Sequence, residues 1–340
     1  HLKEKNRAFK VEKYIHSYPN CWRTDKPILY YPLDSWFIGV SKIRNKLVSL
    51  NKEINWVPKS TGEKRFSNWL SSANDWNLSR SRYWGIPLPI WRTIDKSETK
   101  VIGSVNELRS EIIRSINYKH MGLNPLEDFE ADNMGDENYD KIDLHKNTVD
   151  NIILTSNEGK PMYREKDLID VWFDSGAMPY AQVHYPFENK DLIDKKKMFP
   201  ADYIAEGVDQ TRGWFYTLHV ISTIVFDSIS YKNVISNGLV LDKNGQKMSK
   251  RLGNSIDPFE IISKYGPDAT RWYMISNSNP WDNLKFDIDG VNETSRKFFG
   301  TLFNTYSFFA IYANIDEFDV NKKNIPIEKR PEIDRWIISE

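Results

Sequence analysis

Ala201-Asp202-Tyr203-Ile204-Ala205 reads as a β-strand, and Glu206-Gly207-Val208-Asp209-Gln210 ends it in a polar turn. The apolar run from Trp214 to Phe226 that follows reads as a buried helix. Strand, turn and helix in this order are the unit from which α/β sheets are built, and strands and helices alternate from Leu168 onward. Ile169-Asp170-Val171-Trp172-Phe173 reads as an earlier strand of the same kind, ended by a turn at Asp174-Ser175-Gly176. Ligands of open α/β sheets sit beyond the carboxyl ends of the strands. Both polar turns therefore fall where a site belongs.

In the second turn, Glu206, Gly207, Asp209 and Gln210 form a plausible clamp for a nucleoside and an amine. Carboxylates accept hydrogen bonds from ribose hydroxyls or an ammonium, and glycine permits close backbone approach. The structural alternative is that Asp209 simply caps the helix that follows. Downstream lies Gly245-Gln246-Lys247-Met248-Ser249-Lys250-Arg251-Leu252-Gly253-Asn254. Two lysines three apart, flanked by glycines, suit a mobile loop that grips polyphosphate, each ammonium acting as a point charge. A solvated basic hairpin is the plain alternative. Asp257-Pro258-Phe259-Glu260 then offers an N-cap carboxylate and a proline at the first helical position, so a helix anchors the far end of the loop.

The 340 residues carry 47 basic and 47 acidic side chains, so any contact with nucleic acid must come from local patches. Cys21 is the sole cysteine, which rules out an intrachain disulfide. No leader or apolar run long enough to span a bilayer is present, which reads as a soluble, cytosolic chain without a membrane partner. Most of the 12 tryptophans are expected in the core or as pocket walls. Near the start, Tyr18-Pro19-Asn20-Cys21-Trp22-Arg23-Thr24 is turn-rich, Ile28 to Tyr31 extended and Ser35 to Ile38 a short strand. Lys42 to Asn51 reads as helix, and Gly62 to Asn74 as a loop entering a helix. Val105, Leu108, Ile112, Ile113 and Ile116 recur at helical spacing. The acidic stretch from Glu127 to Asp143 is expected to be a solvated loop, without the ligand pattern of a calcium site. Phe298, Phe299, Leu302, Phe303, Tyr306, Phe309 and Ala310 place an aromatic stripe on one long helix, which is expected to be core.

The order Lys247-Met248-Ser249-Lys250-Arg251 resembles the second signature of class I aminoacyl-tRNA synthetases, with Arg251 where serine is usual. Asp170 to Gly176 and Glu206 to Phe215 are similar to the isoleucyl branch of that family. Leu78-Ser79-Arg80-Ser81-Arg82-Tyr83-Trp84-Gly85-Ile86-Pro87-Leu88-Pro89-Ile90-Trp91 is close to the segment by which isoleucyl and related members return from an inserted editing domain. On chemistry alone, those arginines either meet phosphates and stacked bases or pair with carboxylates. The resemblance implies ATP-dependent attachment of L-isoleucine to tRNA(Ile) through an isoleucyl-adenylate, with magnesium accompanying ATP. It also implies that Lys247 and Lys250 are catalytic and contact ATP together with Met248 and Ser249. Glu206, Gly207, Asp209 and Gln210 would line the adenylate, and Trp172 and Trp214 would wall the side-chain pocket.

The fold implied is the second half of a Rossmann-like catalytic domain. Residues 1–165 would be an α+β insertion remnant, 166–240 the half domain, 241–292 the signature-loop subdomain and 293–340 the start of a helical anticodon-binding bundle. No His-x-x-His occurs among the six histidines, and the chain opens on His1, so it reads as a piece of a longer, monomeric parent and is expected to be inactive alone. Zinc is not expected. The places where relatives carry cysteine pairs hold Tyr18, Cys21 and Thr24, Thr93 and Lys96, and Thr155 and Glu158, and one thiolate cannot build a tetrahedral site. Two rivals are a non-catalytic nucleotide- or RNA-binding module and a nucleotidyltransferase. Neither needs an aliphatic sieve of the kind Trp172 and Trp214 would make.

Overall fold

A computed structural model describes residues 1–21, 24–82, 84–321 and 325–340, with all their side chains except that of Arg251. Trp22, Arg23 and Tyr83 of the motifs above therefore lie outside the described residues. The chain divides into two units, His1–Gly39 with Asp75–Asp170, and Val40–Asn74 with Val171–Glu340.

The second unit is built on the opening strand. It runs Ala201–Gly207 and pairs in parallel with Tyr231–Asn237, which pairs in parallel with Asn55–Val57. Parallel neighbours need a crossover, and the helix Trp214–Phe226 supplies it. Its Phe215, Leu218, Val220 and Ile221 are buried, and the ring of Trp56 meets Phe215 edge-on at 5.6 Å. The helix Arg44–Asn51, a π-helical turn Thr61–Phe66 and the helix Ser67–Ser71 complete this layer. The loop expected at Gly62 is thus helical from Thr61 onward.

His219 of the crossover helix is fully buried, and its Nε2 donates to the Leu47 carbonyl at 2.9 Å. Burial pushes its pKa down to about 4 from 6.5, opposed by that hydrogen bond. A lowered folded pKa means that the unfolded state takes the proton first as pH falls, so stability present above pH 6.5 is lost on the way down towards pH 4. The chain is expected to be about 2 kcal/mol less stable at pH 5 than at pH 7 from this group alone. Urea titrations at both pH values, compared with His219→Gln, check it; equal pH dependence in the two proteins would exclude the effect.

Residues 171–173 correct the sequence expectation. The strand there is only Leu168–Ile169, and Val171–Ala181 is a helix that takes in the supposed turn 174–176. Val, Trp and Phe favour strands locally, but packing overrides propensity. A Cβ on Gly176 would lie 2.8 Å from Ile221 Cδ1, so this helix is set tightly against Trp214–Phe226.

The first unit centres on an antiparallel sheet in the order Thr99–Val101, Ile90–Thr93, Pro161–Arg164, Ile153–Thr155. Helix Val105–Asn117 covers it, burying Leu108 and Ile112 with Trp91, Leu154 and Met162. Arg80 pairs with the buried Asp170 at 2.7 Å, which Trp76 Nε1 also reaches at 3.0 Å. For Arg80 the carboxylate-pairing reading holds. Ser35–Ile38 contributes the two-residue strand Phe37–Ile38, whereas Ile28 to Tyr31 joins no ladder among the described residues. Residues 127–143 run mostly through turns, with one short helix at Asp136–Tyr139.

Two burial expectations are met only in part. Among the described tryptophans only Trp56 and Trp91 are buried, and Trp84 and Trp336 stand exposed. The aromatic stripe lies on helix Gly300–Ile315, yet Leu302, Phe303, Tyr306 and Phe309 all face solvent. It is packed at its start, where Phe298 stacks on Trp272 at 4.2 Å, and Phe309 meets the ring of Phe318 edge-on at 5.8 Å. Periodicity reports that a face is apolar, and here the described elements leave most of it open. An aromatic groove of about 670 Å³ lined by Phe308, Phe309 and Tyr312 results.

Candidate active site

The predicted site residues fall into two groups, joined by the parallel sheet. Gly207 ends its strand opposite Asn237, and Glu206 stands opposite Ser236, at the carboxyl edge where open sheets bind ligands. Glu206 and Asp209 are exposed and Gln210 is half-buried. The 208–212 segment winds into a single 3-10 turn. Gln210, not Asp209, caps the following helix, its Oε1 accepting from the Trp214 N–H at 2.8 Å. That commits the amide oxygen and leaves the NH₂ as a donor, while both carboxylates stay available as acceptors.

Gly213 brings the tryptophans to this turn. A Cβ there would lie 2.4 Å from Gln210 Oε1 and 3.1 Å from Trp172 Cη2, so the Trp172 indole rests on bare backbone. Trp214 Nε1 donates to the Ser175 carbonyl at 2.9 Å, fastening the second indole to the helix that carries the first. Trp172 remains 42% exposed, enough for a ligand to reach its ring. Sequence reasoning missed the braces behind the turn. Arg65 Nε donates to Thr211 Oγ1 at 2.9 Å, and the Arg212 guanidinium lies 4.8 Å over the Trp69 ring. No local pattern announces Arg65, which reaches Thr211 from a π-helical turn far away in sequence.

The second group leaves the sheet just past Asn237. Strand Val240–Leu241 pairs in parallel with Leu284–Lys285, and the loop folds back so that Lys247 bridges to Leu241. Ser249 Oγ accepts from the Leu252 N–H at 3.2 Å and caps a one-turn 3-10 helix, Lys250–Leu252, which closes at Gly253 with φ 66°. Asp257 caps the next helix, Pro258–Tyr265, through the Phe259 N–H at 2.8 Å. Lys247 and Lys250 are exposed, and among the described residues neither takes part in an ion pair. Met248 between them is half-buried against a small core of Ile261, Ala269, Tyr273, Leu284, Phe286 and Val291. Two further residues belong to this group. Asp242 and Asn254 bond to each other at 2.9 Å beneath the loop. Asn244-Gly245 between them is a tight-turn signal legible in sequence, although the pairing is not.

Unpaired ammonium groups on a capped loop suit an anionic, nucleotide-like ligand. Among the described residues no three His, Cys, Asp or Glu side chains converge as a metal site would require. No helix there is long and apolar enough to cross a membrane.

Over 340 residues the chain is 65% identical to the isoleucine–tRNA ligase of Bacteroides fragilis, covering 99% of the chain and 30% of that protein. It is 62% identical to the ligase of Porphyromonas gingivalis and 45% identical to that of Clostridium acetobutylicum, each match covering 100% of the chain and 30% of the relative. The chain thus spans under a third of the length of these relatives. Among solved structures, the Mycobacterium tuberculosis methionyl-tRNA synthetase in complex with methionyl-adenylate superposes with a TM-score of 0.57 at 15% identity, over 94% of this chain and 48% of that one. The Agrobacterium radiobacter K84 agnB2 LeuRS–tRNA–LeuAMS complex gives 0.56 at 20% identity, over 78% and 32%. These two likenesses establish the fold, mixed α/β with a Rossmann-like parallel sheet. The family model for class I tRNA synthetases (I, L, M and V) matches residues 4–287, and the chain belongs to that family.

Proposed function

We propose that this chain is an internal part of a cytoplasmic, monomeric isoleucine–tRNA ligase, which activates L-isoleucine with ATP and transfers it to tRNA(Ile). What carries the reading is 65% identity to an isoleucine–tRNA ligase across 99% of the chain. In this proposal Val171–Glu340 holds one wall of the activation site. Residues 1–165 are then an insertion remnant, 166–240 half of the catalytic domain, 241–292 the signature-loop subdomain and 293–340 the start of the anticodon-binding bundle. The isolated chain, carrying one wall, is not expected to complete the reaction.

Glu206 and Asp209 accept from the amino group and the ribose hydroxyls, the Gln210 amide donates, and Gly207 lets the ligand close on the strand end. Trp172 and Trp214 wall the isoleucine side chain. Lys247 and Lys250 neutralise phosphate charge as pyrophosphate departs, while Met248 and Ser249 hold the loop that carries them. Magnesium would add charge neutralisation on the triphosphate. No described residues converge to hold it, so none is assigned to it. Zinc has no role in this reading.

The test is isoleucine-dependent exchange of pyrophosphate into ATP by the full-length ligase. Trp214→Ala is expected to raise the isoleucine KM about tenfold, with the ATP KM within about twofold of normal. Equal losses for both substrates would remove the pocket assignment.

A further inference from the structure

We propose that Asn254 and Asp242 are positioning residues that fix the point from which the two signature lysines reach phosphate. The inference rests on the reading of the loop given above. Asp242 follows directly on strand Val240–Leu241, so one end of the device is tied to the sheet pair. One carboxylate oxygen accepts the backbone N–H groups of Asn244 and Gln246, each at 2.9 Å, which supports the tight turn from Asp242 to Gly245. The other accepts from Asn254 Nδ2 at 2.9 Å. The Gln246 N–H first, and then the Asn254 amide, hold this carboxyl below the usual carboxylate range, so it is charged at neutral pH.

Asn254 divides its amide across the loop. Its Oδ1 accepts the Ser249 N–H at 2.9 Å, and its Nδ2 also reaches the Lys247 carbonyl at 3.3 Å. The backbone on both sides of Met248 is therefore hung on one side chain. Ser249 precedes Lys250, and its hydroxyl caps the turn that begins there. Each lysine is thus adjacent to, or part of, a residue bonded to Asn254. Four-carbon side chains magnify any shift of their root, and electrostatic stabilisation of a leaving group depends on geometry set in advance. Neither Asp242 nor Asn254 need touch ATP for this.

The reversal of the pair tests the idea. Asn254→Asp sets two carboxylates against each other and removes the donor to the Lys247 carbonyl. The double variant Asp242→Asn/Asn254→Asp again matches one amide with one carboxylate. Pyrophosphate exchange by the full-length ligase is measured with isoleucine, leucine, methionine and valine in turn, together with urea unfolding. Asn254→Asp is expected to lower kcat/KM for ATP about tenfold or more while leaving the isoleucine KM and the unfolding midpoint near normal. The double variant, which rebuilds the 242–254 bond but still lacks a donor to the Lys247 carbonyl, should recover part of the loss. Asn254→Ala, which removes the bonds without repulsion, should show the same ATP-selective loss if the aspartate variant does not fold. Unchanged ATP kinetics in the single variants, or a double variant no better than Asn254→Asp, would overturn the proposal. Exchange faster with another of the four amino acids than with isoleucine, beyond the slow valine turnover that a one-methylene difference allows, would instead overturn the isoleucine reading and leave the ATP comparison intact.

Discussion

Replacing Lys250 by alanine in the full-length ligase is expected to slow isoleucine activation by two to three powers of ten, about 2.7–4 kcal/mol, the range for removing one preorganised group from a developing charge. The ammonium is exposed, without an ion pair among the described residues, and carried on the first residue of a capped 3-10 turn. No carboxylate among the described residues competes for it, so its charge is available to the triphosphate. The effect should fall on the rate and hardly on isoleucine affinity, because in the proposed reading the amino acid meets the separate group at 206–214. Pyrophosphate exchange at saturating isoleucine measures it. A near-normal rate from Lys250→Ala would mean that the loop binds nucleotide without assisting the departure of pyrophosphate.

Gly238→Ala is the second large effect, on stability. Gly238 sits where the strand Tyr231–Asn237 hands the chain to Val240–Leu241, and its N–H donates to the Pro280 carbonyl at 2.9 Å. A Cβ would lie 2.1 Å from the Asp282 oxygen and 2.4 Å from its carbonyl carbon, with backbone rather than a side-chain tip in the way. Accommodating it requires moving the 279–283 turn and with it the Leu239 N–H to Asn283 Oδ1 bond of 2.8 Å and the strand pair beyond. A loss of about 3 kcal/mol is expected, at the upper end for overpacking. The urea midpoint of the variant reads this directly, and a wild-type midpoint would mean that the turn yields freely.

The parallel-sheet unit was legible where neighbours in sequence are neighbours in space. The strand at 201, the turn at 206 and the helix at 214 could be read in order, because each supplies its own period and its own boundary. Residues 171–173 could not, since their β-prone side chains are overruled by Gly176 packing on a helix some forty residues on. Asn55–Val57 gives no sign of belonging to the sheet, for its partner lies in another part of the chain. The aromatic stripe after Phe298 was read correctly as a helix and incorrectly as core, because a period says nothing about who covers the face. In the site, glycines, lysines and tryptophans carried legible chemistry. Arg65, Asp242 and Asn254 did not, being ordinary polar residues whose meaning comes only from what they touch.

The pairing of Asn55–Val57 with Asn233–Ile235 also has a consequence in time. The partners are 178 positions apart. A ribosome adding 5–20 residues per second needs roughly 10–40 s to deliver the second strand after the first. Through that interval Trp56 and Phe66 have left the exit tunnel without Phe215, His219 and Tyr231, the later residues whose rings they meet. Residues 75–170, which carry a complete antiparallel sheet of their own, emerge meanwhile and can fold first. Entropy is the smaller obstacle, since doubling a flexible loop adds only about 0.6 kcal/mol to its closure. Residues 40–74 therefore wait, during synthesis, for strand and helix partners that come off the ribosome only after residues 75–170.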